Sequence, residues 1–159
     1  VFHYDSTPWL FNNKPFTSDD IQDYFGFIYL ITHRITGKKY IGKKFFYSTK
    51  TLKPLKGTKR KRKSVKESDW KTYFGSCDDL IKDLELHGYD QCIREIISLH
   101  RDKRDVNYSE VKEQFLYNVL EAKKENGERL FYNSNILAKY FVRPEFVSGD
   151  LGRKICDKK

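Results

Sequence analysis

The sequence predicts an α+β fold, a small and mostly antiparallel β-sheet flanked by helices. Two runs rich in β-branched and aromatic residues, 25–31 and 39–46, are separated by the polar turn "HRITGKK" and read as a hairpin. Two later segments, "SCDDLIKDLELHGYD" and "SEVKEQFLYNVLEAKK", carry apolar residues at helical spacing. Between them "QCIREIISLH" reads as one more strand. Strands and helices do not alternate regularly, which excludes a doubly wound parallel sheet.

Taken in order, residues 1–23 form an expected N-terminal arm whose Trp9, Phe11 and Phe16 pack on the core, with Thr17 or Ser18 capping one helical turn. In the hairpin, Gly37 supplies a positive φ. Residues 50–71 hold ten Lys or Arg against two acids, Glu67 and Asp69. Pro54 and Gly57 argue against one regular element there, so this insert is expected to be a basic flap. Ser76 or Asp78 caps the first helix, Leu80, Ile81 and Leu84 form its apolar stripe, and Gly88 ends it. In the next strand Ile93, Ile97 and Leu99 carry the alternation. Ser109 is expected to open the second helix, with Val111, Phe115, Leu116, Val119 and Leu120 on its buried side. A domain over 24–141 and a polar tail over 142–159 complete the expected layout.

With 159 residues the chain is long enough for one real core. Hydrophobic residues are 38% of it and aromatics 16%, so Tyr and Phe supply much of the burial. The formal charge of +9 favours a polyanionic partner, because Lys and Arg release the counterions condensed on phosphates. Cys77, Cys92 and Cys156 are widely spaced and suggest neither a disulfide framework nor a zinc site. His3, His33, His87 and His100 show no metal-ligand pairing. No signal segment or membrane-spanning run is read, so the expected setting is cytoplasmic.

Three residues stand out as chemistry. Tyr29 and Tyr40 bring their hydroxyls together if they share a face of the hairpin. Lys38, Lys39, Lys43 and Lys44 flank the second tyrosine, and a cationic setting lowers a phenol pKa towards general-base use. Glu113 falls at the edge of the apolar stripe of the second helix, and Lys112 nearer its middle.

"FIY" at 27–29, "YIG" at 40–42, "EVKEQFLYNVL" and "FYNSN" occur in that order. Together they resemble the GIY-YIG nuclease superfamily from residue 26 to about 135, in the style of phage-encoded, stand-alone homing-type members. Phe27 stands where the family's first motif has glycine. The resemblance implies a metal-dependent DNA endonuclease with one Mg²⁺ or Mn²⁺ on Glu113. Tyr29 or Tyr40 would deprotonate the attacking water, and Asn133 would orient the tyrosine or the metal's surroundings. The family's phosphate-binding arginine and its partner one turn later have no obvious match: Arg60 and Arg62 are candidates, with Arg62 and Tyr73 preferred. Lys43, Lys44, Lys59, Arg60, Arg62 and Lys63 are the expected DNA contacts. The implied substrate is double-stranded DNA, cut by a monomer or weak dimer. The alternatives are a non-catalytic nucleic-acid binder and a structure-selective repair or junction nuclease.

Overall fold

A computed structural model describes residues 7–142. Of the expected polar tail only Val142 falls within that range. Along the chain run β1 (Trp9–Phe11), β2 (Lys14–Pro15), β3 (Gly26–His33), β4 (Lys39–Phe45), β5 (Tyr47–Leu52), β6 (Arg62–Glu67), α1 (Asp78–His87), β7 (Cys92–His100), α2 (Lys103–Leu116), β8 (Asn135–Ile136) and β9 (Tyr140–Phe141). Five strands form one sheet in the order β2-β1-β7-β3-β4, and β1–β7 is its parallel pair. The fold is α+β, as the hairpin, the later strand and the two helices require.

The β3–β4 hairpin closes over residues 34–37, with Gly37 at φ +70° and its N–H bonded to the His33 carbonyl. Its register sets Tyr29 opposite Gly42 and Ile31 opposite Tyr40. Tyr29 and Tyr40 therefore lie diagonally on one face. That face packs against Trp9, Phe46, Trp70 and, from α1, Leu80 and Leu84. On the other face Ile28 and Ile41 meet Val106 of α2, Val119, Phe131 and Ile136. Tyr29 fills the space above Gly42: a methyl group there would lie 2.7 Å from the ring carbon Cζ and closer still to the hydroxyl oxygen. Gly42→Ala is expected to cost about 1–3 kcal/mol by overpacking, read as a lower Tm, with Tyr29→Phe restoring part of the loss. A Gly42→Ala protein melting like the wild type would contradict this packing.

Residues 9–15, within the segment expected as an arm, add two strands to the sheet. Trp9 is buried there, its indole Nε1 donating to the Trp70 carbonyl at 2.7 Å. The Thr17 turn is capped as expected, with Asp20 bonding back to Thr17.

Four local expectations are corrected. The alternation in β7 is not Ile93, Ile97, Leu99. A register shift opposite Ile28 and Tyr29 breaks the period, and the strand turns Cys92, Arg94 and Ile96 towards the Trp9 core, with Leu99 joining them past the shift. The cap of α1 is Cys77, between the two residues expected, and Gly88 ends the helix at φ +100°. The second helix starts six residues before Ser109, at Lys103, because the Asp102 side chain accepts the Asp105 N–H at 2.8 Å as its N-cap. It ends at Leu116, so its inner face is Val106, Ser109 and Gln114, while Phe115 and Leu116 are 53% and 60% exposed and Lys112 faces solvent. Finally, the basic flap is regular after all: β5 and β6 pair antiparallel as a ribbon, and Pro54 and Gly57 fall in its tip.

Candidate active site

The free edge of β4 is the point to which the fold leads. Beyond α2 the chain returns along this edge: Lys39 donates to the Leu130 carbonyl, and the Tyr132 N–H donates to Lys39. One residue on, the Asn133 side chain takes the place of a strand. Its Oδ1 accepts the Ile41 N–H at 3.1 Å and its Nδ2 donates to the Ile41 carbonyl at 2.8 Å, which also accepts Gln114 Nε2 at 3.2 Å. A primary amide offers the same donor and acceptor pair as a peptide, so it satisfies an edge that would otherwise hold orphaned polar groups. The Arg129 guanidinium donates to the Asn133 carbonyl and holds this segment in place. Tyr132 is tied to α1 through its hydroxyl, which donates to Asp83 Oδ2 at 2.6 Å.

A cavity of about 640 Å³ opens at this edge. Tyr40 and Lys43 of β4, Glu110 and Gln114 of α2, and Asn133 line one side, and Ser76, Asp78 and Lys82 at the start of α1 line the other. Helix α2 lies on the sheet face opposite the tyrosines, and Glu110 reaches Tyr40's surroundings around the β4 edge. Lys43 Nζ sits 2.8 Å from Glu110 Oε2. The Tyr40 hydroxyl shares a hydrogen bond of 3.1 Å with Ser76 Oγ. Behind it Tyr29 is 1% exposed, its ring 6.1 Å from that of Tyr40 and 5.9 Å from that of Tyr73.

The electrostatics reverse one expectation. Neither phenol is lowered by the lysines. Burial pushes Tyr40 up to about 12 and Tyr29 well above its ordinary value, and the neighbouring phenols and the Glu110 charge add to both. The lysines are engaged elsewhere: Lys43 by Glu110, and Lys44 by Asp69 at 2.6 Å while its ammonium lies 3.9 Å from the centre of the Tyr73 ring. Asp69 is in turn held below the usual carboxylate range by its hydrogen bond to Lys44.

A family model described as "Putative endonuclease segE, GIY-YIG domain" matches residues 9–136. The chain belongs to this GIY-YIG family. No curated protein and no solved structure gives a significant match. The match covers β1 through β8 and so includes the ribbon and nearly the whole cavity lining. The chain is thus a nuclease-family domain, and its substrate class is nucleic acid.

In this GIY-YIG domain the expected site residues divide into two groups. Tyr40, Lys43 and Asn133 line the cavity, and Tyr29 and Tyr73 stand behind Tyr40. Asn133 acts on the backbone between Tyr40 and Gly42 rather than on a tyrosine hydroxyl. Glu113 is not among the residues lining the cavity, and the carboxylate that α2 supplies there is Glu110, three residues earlier on the same helix. Arg62 sits on β6 opposite Leu52, exposed and outside the cavity lining, while Lys59, Arg60 and Lys63 are also exposed on the ribbon. The cations lining the cavity are Lys43 and Lys82 instead. Reading the sequence overlooked Glu110, Lys82 and Ser76. Glu110's place follows from which face of α2 packs inward, Val106, Ser109 and Gln114, and no local spacing signals it.

Among the described residues no cluster of three His, Cys, Asp or Glu side chains could hold a metal. A divalent ion beside Tyr40 and Lys43 would rest on Glu110, with Asp78 and Asp79 on the α1 side of the same cavity. That donor set fits Mg²⁺ or Mn²⁺, which keep several waters and take one or two carboxylates alongside substrate phosphate. Glu110 is partly exposed to the cavity, and its present partner is a lysine that can turn away. Among the described residues no helix is long and apolar enough to cross a membrane.

Proposed function

We propose that this domain is a divalent-metal-dependent endonuclease that hydrolyses phosphodiester bonds of double-stranded DNA, with Glu110 in the metal-holding role first expected of Glu113. The observation that carries this reading is the α2 carboxylate, Glu110, set beside a half-buried phenol, Tyr40, and paired with Lys43 in one cavity at the β4 edge. A bound Mg²⁺ or Mn²⁺ would neutralise charge on the scissile phosphate and on its leaving oxygen. Lys43, released from Glu110, would turn to a phosphate oxygen, and Lys82 would meet the backbone at the rim. Tyr40 is the phenol that meets substrate. It hydrogen-bonds the attacking water and takes its proton when ionised. Tyr29 and Tyr73 are positioning residues that fix the Tyr40 ring, and Asn133 fixes the strand beneath it.

A phenol with a pKa of about 12 is ionised in roughly one molecule in 10⁵ at pH 7. The reactive fraction grows about tenfold per pH unit below that value. Plasmid nicking with Mg²⁺ should therefore accelerate as pH rises from 7 to 9, stop on chelation, and lose its pH slope in Tyr40→Phe. Nicking that persists in excess chelator would overturn the metal requirement, and an unchanged slope in Tyr40→Phe would remove this phenol as base. A stand-alone, phage-encoded homing role in the host cytoplasm suits the family, with a monomer or weak dimer cutting one strand per visit.

A further inference from the structure

The β5–β6 ribbon takes no part in the catalytic scheme, yet it holds much of the chain's positive charge. Its root is fixed. Ser68 donates from Oγ to the Phe45 carbonyl at 2.6 Å and from N to Phe46 at 2.8 Å, and Phe46 is fully buried against Phe16 and Trp70. Glu67, the one acid in the two strands, is held at the root by Trp70 Nε1 at 2.8 Å and Ser18 Oγ at 3.0 Å. Beyond the root every residue of both strands except Ser48 is exposed, so the ribbon stands clear of the body. Its register divides it into two faces. Lys50, Arg62 and Lys66 share one with Ser48, Leu52 and Ser64, and Thr49, Thr51 and Val65 share the other with Lys63. The tip, residues 53–61, adds Lys53, Lys56, Lys59, Arg60 and Lys61.

We propose that this ribbon enters the major groove of B-form DNA beside the cut, with the Lys50, Arg62 and Lys66 face towards the base edges and the tip cations on the phosphates. The proposal rests on the nuclease reading and names how its substrate is held. A two-stranded ribbon fits a groove about 12 Å wide. The deep, narrow major groove of A-form RNA does not admit side chains in this way. Single strands offer no groove. Because β4, which carries Tyr40 and Lys43, runs through Phe46 directly into β5, the arm and the cavity are joined rigidly. A six-residue strand spans about 20 Å, which is about six base pairs of duplex at roughly 3.4 Å each. The contacted bases therefore lie to one side of the cleaved bond, within about one helical turn.

The test is binding of the whole protein to a 30-base-pair DNA duplex in chelator, where no cleavage intervenes. The triple change Lys50→Ala, Arg62→Ala, Lys66→Ala is expected to weaken binding at least tenfold at unchanged Tm. Thr49→Ala, Thr51→Ala, Val65→Ala on the opposite face should bind like the wild type. Replacing Lys56, Lys59, Arg60 and Lys61 by alanine should flatten the dependence of log K on log salt by about 0.9 for each phosphate that is no longer neutralised. Methyl green, a major-groove ligand, should compete with the wild type, and a minor-groove ligand should not. Equal weakening from the two faces, or equal wild-type affinity for duplex RNA or single-stranded DNA, would overturn the proposal. A protein that binds duplex in this pattern but does not nick it would count against the catalytic reading alone.

Discussion

Glu110→Gln is expected to abolish nicking of supercoiled DNA, and Glu113→Gln to leave it near the wild-type rate. Glutamine keeps the volume and a hydrogen bond to Lys43 but loses the charge that would hold a hard cation. Transition-state stabilisation worth several kcal/mol goes with it, so the rate should fall at least about a thousandfold. DNA affinity should hold or rise, because a negative charge has left a cavity that faces phosphate. Glu113 does not line that cavity, so neutralising it is expected to leave the reaction intact. Gel separation of nicked from supercoiled plasmid over a time course reads both variants. Equal rates for wild type and Glu110→Gln would show that the protein either cuts by other groups or does not cut by this site at all.

Arg94→Met is expected to cost about 3–5 kcal/mol of stability, since it takes the donor from three carbonyls at about 1–3 kcal/mol for each buried group left unsatisfied. Arg94 is 1% exposed although it stands in a strand facing the aromatic core. Its Nε donates to the Thr7 carbonyl at 2.9 Å, and Nη1 donates to the Lys71 and Tyr73 carbonyls, each at 2.9 Å. The guanidinium lies between the Trp9 and Phe74 rings, at 4.8 Å and 4.3 Å from their centres. It thus ties the strand to the lead-in of β1 and to residues 71–73 behind the cavity, which no strand pairing reaches. Methionine fills similar volume but leaves those carbonyls without this donor. Arg94→Lys should fail nearly as badly, since one ammonium cannot reproduce a planar fork with donors in fixed directions. Chemical denaturation gives the measurement, and a destabilisation below about 1 kcal/mol for Arg94→Met would contradict this account of the buried arginine.

The hairpin was legible because its signals are local. Two runs of β-branched and aromatic residues, a glycine turn and two tyrosines eleven residues apart lie within one short stretch. The ribbon was half legible: Pro54 and Gly57 were read as breaking the whole insert, while they break only its tip, and the lysines hid the β-prone threonines of β5. The strands of residues 9–15 were not legible, because β1 pairs with β7 some eighty residues away and no local pattern records such a partner. That Glu110 and not Glu113 lines the cavity was not legible for a specific reason. The buried face of α2 carries Ser109 and Gln114, so hydropathy periodicity misses it and follows Phe115 and Leu116 towards solvent instead. Gln114 is inside because it bonds the Ile41 carbonyl, a tertiary requirement that spacing does not reveal. The direction in which the tyrosine pKa values shift is hidden from the sequence for a related reason. Lysines adjacent in sequence point to other partners, while burial, invisible in sequence, dominates.

Crystals soaked with Mn²⁺ test the central claim most directly, since the ion's anomalous signal locates it independently of any activity. The expected peak lies about 2.0–2.2 Å from a Glu110 carboxylate oxygen, within the cavity shared with Tyr40, and Lys43 Nζ has moved off that carboxylate. A peak coordinated by Glu113, or ions bound only outside this cavity, would contradict it.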